Sequence, residues 1–402
     1  MVKSIPLPAR LTTLKDRASA GLRAWYWDAV LLPFITTRLV WVLIAWFASY
    51  FPTSTTFDKY VARGGFLSNH YWLDIWCRWD SRWYLSIITD GYRQLAPSVI
   101  ATHFTNLAFF PLYPYLVKLA AVLAIPFQSQ GFYLTFGVIL SNLCFLGGAG
   151  LLYKLIVDWI ADEAVARRTL LLIFAFPTSF IFSCFYPEGL FFLLSVATLL
   201  LGYQKKWLWA GIVGALLAVS RPQGILVIVP LFLLYMKSVE WKLRSIRLDL
   251  GWQALIPAAL AAHFVSLYSR TGTLIAPLVA QQPWRSDKNI IQDAIYLIHL
   301  QPSLNVWQID GIIWVLFAVI LIAGAWRLRS WPIAVYGLLQ LVLPVSTGTF
   351  FSFARFAVTI FPIFIMLAMF LKKRSLLFIV VAVLFTFQVM YWLGWVNYFW
   401  IS

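Results

Sequence analysis

The chain has 402 residues, of which 62% are hydrophobic and 11% charged, and its formal net charge is +16. A soluble domain has about half its residues apolar and about a quarter charged, so this composition, with a mean hydropathy of +0.81, excludes one and implies an all-α polytopic membrane protein. The cations are scattered between apolar runs rather than gathered on one face, which excludes a nucleic-acid groove and makes the charge a marker of orientation.

Residues 1–29 are basic and lack a signal-peptide core with a cleavage site, so they read as a cytoplasmic lead-in to a retained first helix. The first apolar run, 30–51, contains one charge, Arg38, which we expect to snorkel inward. A long connection, 52–131, then forms the first external loop. It contains Asp74-Ile-Trp-Cys-Arg-Trp-Asp-Ser-Arg-Trp-Tyr-Leu, the densest mixture of acid, base and aromatic groups in the chain. If this stretch is helical, Asp80 and Tyr84 share a face, because residues four apart are neighbours on a helix. We read it as one wall of an active site. An aromatic belt at headgroup level would account for the tryptophans but not for Asp80. Asp74 is the alternative catalytic carboxylate, and Asp90 has no assignment.

The run 109–126 is apolar enough to be a span, yet counting it would send Arg167 and Arg168 outward. Pro111, Pro114 and Pro126 favour bends or ends, so we read a membrane-edge or half-inserted helix belonging to the outer loop. Further spans fall near 132–157, 168–184, 190–204, 207–220, 224–237, 252–269, 306–326, 331–346, 356–371 and 375–396, giving about eleven in all. Lys154, Arg167, Arg168, Lys205, Lys206, Lys237, Lys242, Arg244, Arg247, Arg327, Arg329, Lys372, Lys373 and Arg374 occupy alternate connections, which the positive-inside rule places in the cytoplasm. The opposite connections are 52–131, the turns at Pro187 and Arg221, a second long loop at 270–305 and the turn near Phe350. They face outward with the C-terminus, and Trp284, Arg285 and Asp287 help to cover the site. No internal repeat or soluble unit is visible, so residues 1–402 form a single transmembrane domain.

Cys77, Cys144 and Cys184 are odd in number and indicate no disulfide framework. His70, His103, His263 and His299 are isolated and lack zinc-ligand spacing. No cofactor and no metal are expected.

An ionisable side chain near the centre of a spanning helix costs roughly 2.5 kcal/mol or more, so each one in or beside an apolar run is a functional candidate. Glu188, in Tyr186-Pro-Glu-Gly, lies directly between two runs. Arg221, in Ser220-Arg-Pro-Gln-Gly, sits where Pro222 and Gly224 break the helix, and its planar fork suits a phosphate. Arg355, in Ser352-Phe-Ala-Arg-Phe, occupies a similar turn. A solvated turn carboxylate and headgroup anchors are the plainer readings. The charge-derived topology nevertheless puts Asp80, Glu188, Arg221 and Arg355 on one face, the outer one.

At these residues the sequence resembles the PIG-V type family, the second mannosyltransferase of GPI-anchor assembly and its bacterial relatives, within the GT-C superfamily of membrane glycosyltransferases. The resemblance runs through Arg78-Trp-Asp-Ser-Arg-Trp-Tyr with Gly91-Tyr92, Phe110-Pro-Leu-Tyr-Pro, Ser141-Asn142, Phe176-Pro, Tyr186-Pro-Glu-Gly-Leu-Phe, Ser220-Arg-Pro-Gln-Gly and Ser352-Phe-Ala-Arg-Phe. Residues 186–189 depart from the expected Tyr-Thr-Glu-Ser pattern but keep the glutamate.

The resemblance implies a GT-C-type bundle on the inner or plasma membrane, with its site on the extracytoplasmic side. It implies transfer of a sugar, usually mannose, from a polyprenyl-phosphate donor to a hydroxyl of a glycan or glycolipid acceptor, with inversion. Asp80 then corresponds to the general base. Arg221 and Arg355 face the phosphate, and Glu188, Trp79, Trp83, Tyr84, Tyr186 and Gln223 line the substrate site. The alternative is a transporter or flippase of a lipid-linked intermediate, but the paired repeats and matched broken helices common in transporters are not found. A scaffolding role leaves Asp80 and Arg221 unexplained.

Overall fold

The structure, a computed structural model, describes residues 25–51, 65–123, 129–284, 306–328, 331–345, 350 and 352–399. Among these residues every regular element is a helix, as expected where lipid offers the backbone no hydrogen-bond partners. In chain order the main helices are α1 (Leu32–Ala48), α2 (Ser81–Thr89), α3 (Leu112–Leu123), α4 (Gln130–Ile160), α5 (Glu163–Ala175), α6 (Glu188–Tyr203) and α7 (Trp207–Ala218). They continue with α8 (Ile228–Ser238), α9 (Leu255–Thr271), α10 (Val306–Leu328), α11 (Trp331–Val345), α12 (Phe353–Ala357), α13 (Phe361–Phe370) and α14 (Arg374–Val396). Helical stretches at Trp27–Ala48, Gln130–Ile160, Leu248–Thr271 and Arg374–Val396 are long and apolar enough to cross a membrane. Other apolar stretches run 10–17 residues.

Several expected runs are broken, and prolines explain where. The run 168–184 ends as an α-helix at Ala175 and resumes as a 3₁₀ turn over Ser179–Ser183. Pro177 holds Phe176 in an extended conformation, as proline does to its predecessor. The run 356–371 becomes α12 and α13, which starts at Phe361 with Pro362 in its first turn. The run at 109–126 gives α3, twelve residues long and therefore about 18 Å at about 1.5 Å per residue. Helix α3 packs beside α2 and α4, and residues 124–128, at the end of this run, lie outside the described residues.

Helix α6 lies between α4 and α7, α7 packs on α9, and α13 on α5 and α10. Rings from separate helices fill the interior. Phe145 of α4 stacks on Phe182 at 4.3 Å, and Phe176 meets Phe364 of α13 edge-on. The last helix is fastened to the first by indole donors: Trp392 Nε1 donates to the Trp41 carbonyl at 2.8 Å, and Trp41 Nε1 to Gln388 at 3.2 Å. One turn further on, Trp395 Nε1 donates to the Ile75 carbonyl at 2.8 Å. The end of α14 therefore lies on the same face of the molecule as the 74–85 stretch.

Lys205 and Lys206 follow the far end of α6, whose near end is Glu188, and they precede α7, whose other end leads to Arg221. Arg374 opens α14, whose opposite end reaches Ile75. The basic turns and the 74–85 stretch thus occupy opposite ends of the same helices.

Candidate active site

The 74–85 stretch is not one helix. A short turn at Tyr71–Asp74 ends, the chain reverses, and α2 starts at Ser81 with Asp80 at its N-cap. The reversal places Trp79 at φ +51°, a left-handed conformation that costs an ordinary residue about 1–3 kcal/mol and persists only where its surroundings hold it. Here they do. Tyr186 Oη accepts the Asp80 amide at 2.9 Å and donates to the Arg78 carbonyl at 3.0 Å, gripping both sides of Trp79. The Phe185 amide also donates to the Trp76 carbonyl at 2.8 Å.

Asp80, Glu188, Arg221 and Arg355, separated by as many as 275 positions, meet in one cluster. Arg355 Nη1 lies 2.6 Å from Asp80 Oδ2, and its Nε lies 3.3 Å from Glu188 Oε1. Arg221 Nη1 reaches the same Glu188 oxygen at 2.8 Å. The order is carboxylate, guanidinium, carboxylate, guanidinium, and all four residues are at most 9% exposed. Glu188 Oε2 is buried and has no hydrogen-bond partner among the described residues. Burial opposes the charged form of Arg355, but Asp80 and Glu188 outweigh it and raise its pKa, so it stays a cation.

Glu188 begins α6 where that helix crosses α4 at very close range. A Cβ on Gly189 would lie 2.4 Å from the Ser141 carbonyl oxygen, so the glycine permits this approach. Ser141 Oγ donates to the Tyr186 carbonyl at 2.9 Å and shares a hydrogen bond with Tyr113 Oη. Arg221 lies at the break between α7 and a 3₁₀ segment over Pro222–Val227. Gly224 makes the break possible, since a Cβ there would meet the Leu217 carbonyl oxygen at 2.0 Å. On this side of the cluster a narrow cleft, with no room for a water molecule, is lined by Phe191, Arg221, Gln223, Gln340, Phe356, Thr359 and Ile360. Gln340 Nε2 donates to the Gln223 carbonyl at 3.1 Å, and Gln223 Oε1 is buried without a partner among the described residues.

The aromatic residues of the stretch back this cluster. Trp83 stacks on Phe109 at 6.0 Å, meets Trp284 edge-on, and carries the Arg82 guanidinium 4.5 Å from its ring centre. Trp79 packs on Phe66. Tyr84 meets Phe109, Tyr113 and Tyr186. Burial and then the nearby Glu188 carboxylate push the Tyr84 pKa up, so its phenol stays protonated. Trp284 meets Phe104 and Phe109 as well as Trp83, while Arg285 and Asp287 lie outside the described residues.

Asp74, the alternative carboxylate, is 1% exposed and already occupied. It accepts the amides of Leu67 at 2.7 Å and Ser68 at 3.0 Å, the Tyr398 hydroxyl at 3.2 Å, and a close ion pair from Arg78. Asp74 ties the segment before it, Leu67 and Ser68, to the residues that follow α14. Arg38 also differs from expectation. Instead of extending to the surface it lies over Phe34 at 3.9 Å and Trp41 at 4.6 Å, and donates to Thr37 at 3.0 Å and Asn142 at 3.4 Å. Ring faces and an amide oxygen inside the bundle supply what the surface would have offered.

Two residues not singled out from the sequence also converge here. Asp310 of α10 accepts the Ala354 amide at 2.8 Å, and Thr178 Oγ1 donates to the Ala354 carbonyl at 2.7 Å. Asp310 is the only carboxylate in α10, a signal of the same kind that drew attention to Glu188. Among the described residues no group of three or more His, Cys, Asp or Glu side chains forms a metal-binding cluster.

Long apolar helices around a buried, mixed-charge cluster define a membrane-embedded protein with a polar site for chemistry or binding. The family model described as mannosyltransferase (PIG-V) matches residues 29–295, and the chain belongs to that family. Among curated proteins none matches the chain significantly. Among solved structures, the oligosaccharyltransferase of Archaeoglobus fulgidus aligns at a TM-score of 0.45 and 11% identity, over 93% of this chain and 55% of that one. The chain therefore spans about half the length of that protein.

Proposed function

We propose that the protein is a GT-C-type transferase that moves mannose from a polyprenyl-phosphate donor to a hydroxyl of a glycan or glycolipid acceptor on the extracytoplasmic side of the plasma membrane, with inversion. The observation that carries this reading is the Asp80–Arg355–Glu188–Arg221 sequence of alternating charges in a chain of a mannosyltransferase family.

Asp80 takes the proton of the acceptor hydroxyl as that oxygen bonds to the anomeric carbon. The bond from this carbon to the phosphate oxygen breaks on the opposite face, and the lipid phosphate leaves with the electron pair. One negative charge is thereby lost from Asp80 and one gained by the phosphate. Arg355 touches Asp80 before reaction and is released as that carboxylate is neutralised, so its guanidinium can follow the charge to the leaving group. Arg221, beside the cleft, is the second cation for the phosphate, which a planar guanidinium fork fits. The leaving phosphate is a stable anion, so no general acid is required. The unpartnered Glu188 Oε2 accepts a sugar hydroxyl, and Trp79, Trp83, Tyr84, Tyr186 and Gln223 contribute edges and polar groups around the sugar.

The direct test incubates purified protein in detergent with undecaprenyl-phosphate mannose and a membrane glycolipid extract, following release of undecaprenyl phosphate and the anomeric configuration of the product. Release with an inverted linkage supports the reading. No release above heat-treated protein, or a retained configuration, contradicts it.

A further inference from the structure

We infer that Asp310 is a positioning residue that fixes the turn carrying Arg355, so that one guanidinium reaches Asp80 and Glu188 together. The inference rests on the reading of Arg355 as a substrate-site cation.

Three observations meet at this turn. First, Asp310 is 1% exposed within an apolar helix, where a carboxylate is disfavoured unless its oxygens are satisfied. It accepts the Ala354 amide at 2.8 Å. Second, Ser352, which opens α12, is left-handed at φ +61°, and its own side chain makes no cap hydrogen bond. A non-glycine residue holds such a conformation only where neighbours determine it, and the Asp310 carboxylate, bound to the Ala354 amide two residues on, is such a neighbour. Third, Thr178 holds the Ala354 carbonyl at 2.7 Å from the other side. The residue immediately before Arg355 is therefore fixed at both its amide and its carbonyl, by two different elements.

The position of Arg355 needs such control. Its Nη1 contact with Asp80 is 2.6 Å and its Nε contact with Glu188 is 3.3 Å, and a small rotation of α12 would break one of them. Asp310 touches neither carboxylate. Its charge attracts the Arg355 guanidinium, and its hydrogen bond acts on the site through the backbone of Ala354.

The test uses Asp310→Ala, Asp310→Asn and Arg355→Ala in the full chain in detergent, with two readouts. Hydrogen exchange of the amides at 352–355 should accelerate by about tenfold or more in Asp310→Ala, the scale of a lost charge-assisted hydrogen bond. Asp310→Asn keeps an acceptor oxygen and should change exchange by less than about threefold. Unchanged exchange at 352–355 in Asp310→Ala overturns the inference. So does acceleration spread evenly over the bundle in both variants.

The second readout is affinity for undecaprenyl phosphate. Asp310→Ala should weaken binding, and adding it to Arg355→Ala should cause no further loss, because both changes remove the same contact. Losses that multiply overturn the inference. Undiminished affinity in Arg355→Ala, with the local exchange effect intact, would instead refute the phosphate role of Arg355 and leave the positioning role standing.

Discussion

Asp80 and Asp74 lie six positions apart, and only their partners distinguish them. Asp74 is saturated by two amides, a phenol and Arg78, so it is committed to holding the loop. Asp80 has its amide bound by Tyr186 and its carboxylate bound by Arg355, the cation proposed to serve the donor phosphate. Asp74→Ala should therefore lower stability by about 3–5 kcal/mol, the cost of breaking a buried pair, measured as a fall in Tm in detergent. Arg355→Ala strands Asp80 and part of Glu188 and should destabilise on the same scale. Arg355→Lys keeps the charge but loses the two-sided fork. It should recover most of the stability while transfer stays at least about tenfold reduced, since removing one transition-state charge contact costs on the order of tenfold to a thousandfold.

At the scale of elements, the site exists because helices approach or break where side chains would normally forbid it. Gly189 lets α6 meet α4 at Ser141, which brings Glu188 in line with Arg355. Gly189→Ser, which restores the hydroxyl expected at this position, must push the helices apart and should cost about 1–3 kcal/mol by overpacking. A thermal melt will show it, and an unchanged Tm would mean that the crossing is looser than the 2.4 Å contact implies.

Much of this was legible in the sequence. Ionisable residues are so disfavoured among apolar runs that Asp80, Glu188, Arg221 and Arg355 stood out singly, and Pro222 with Gly224 marked the break at Arg221. Their pairing was not legible, because nothing local says that a side chain at 355 will choose one at 80. Trp79 at the reversal carried no glycine or proline to announce it. Asp310 lay inside an apolar run read as an unbroken crossing, and its task, capping a five-residue helix, depends wholly on tertiary placement.

For the whole molecule, the helices point their basic turns away from the charge cluster, and the end of α14 returns to the Asp80 side. Single cysteines introduced as Arg82→Cys and Phe399→Cys, both at exposed positions, should react with a membrane-impermeant maleimide from one side of sealed vesicles, and Lys205→Cys from the other. Reaction of Arg82→Cys and Lys205→Cys from the same side would refute the orientation taken from the charges.

The proposal that a single buried carboxylate deprotonates the acceptor is tested most directly by Asp80→Asn, measured for undecaprenyl phosphate release from undecaprenyl-phosphate mannose alongside binding of the donor. The expected result is a folded protein that still binds donor but whose transfer rate falls by about a hundredfold to ten-thousandfold, the usual contribution of a positioned base. Transfer at the rate of the unaltered protein would contradict it.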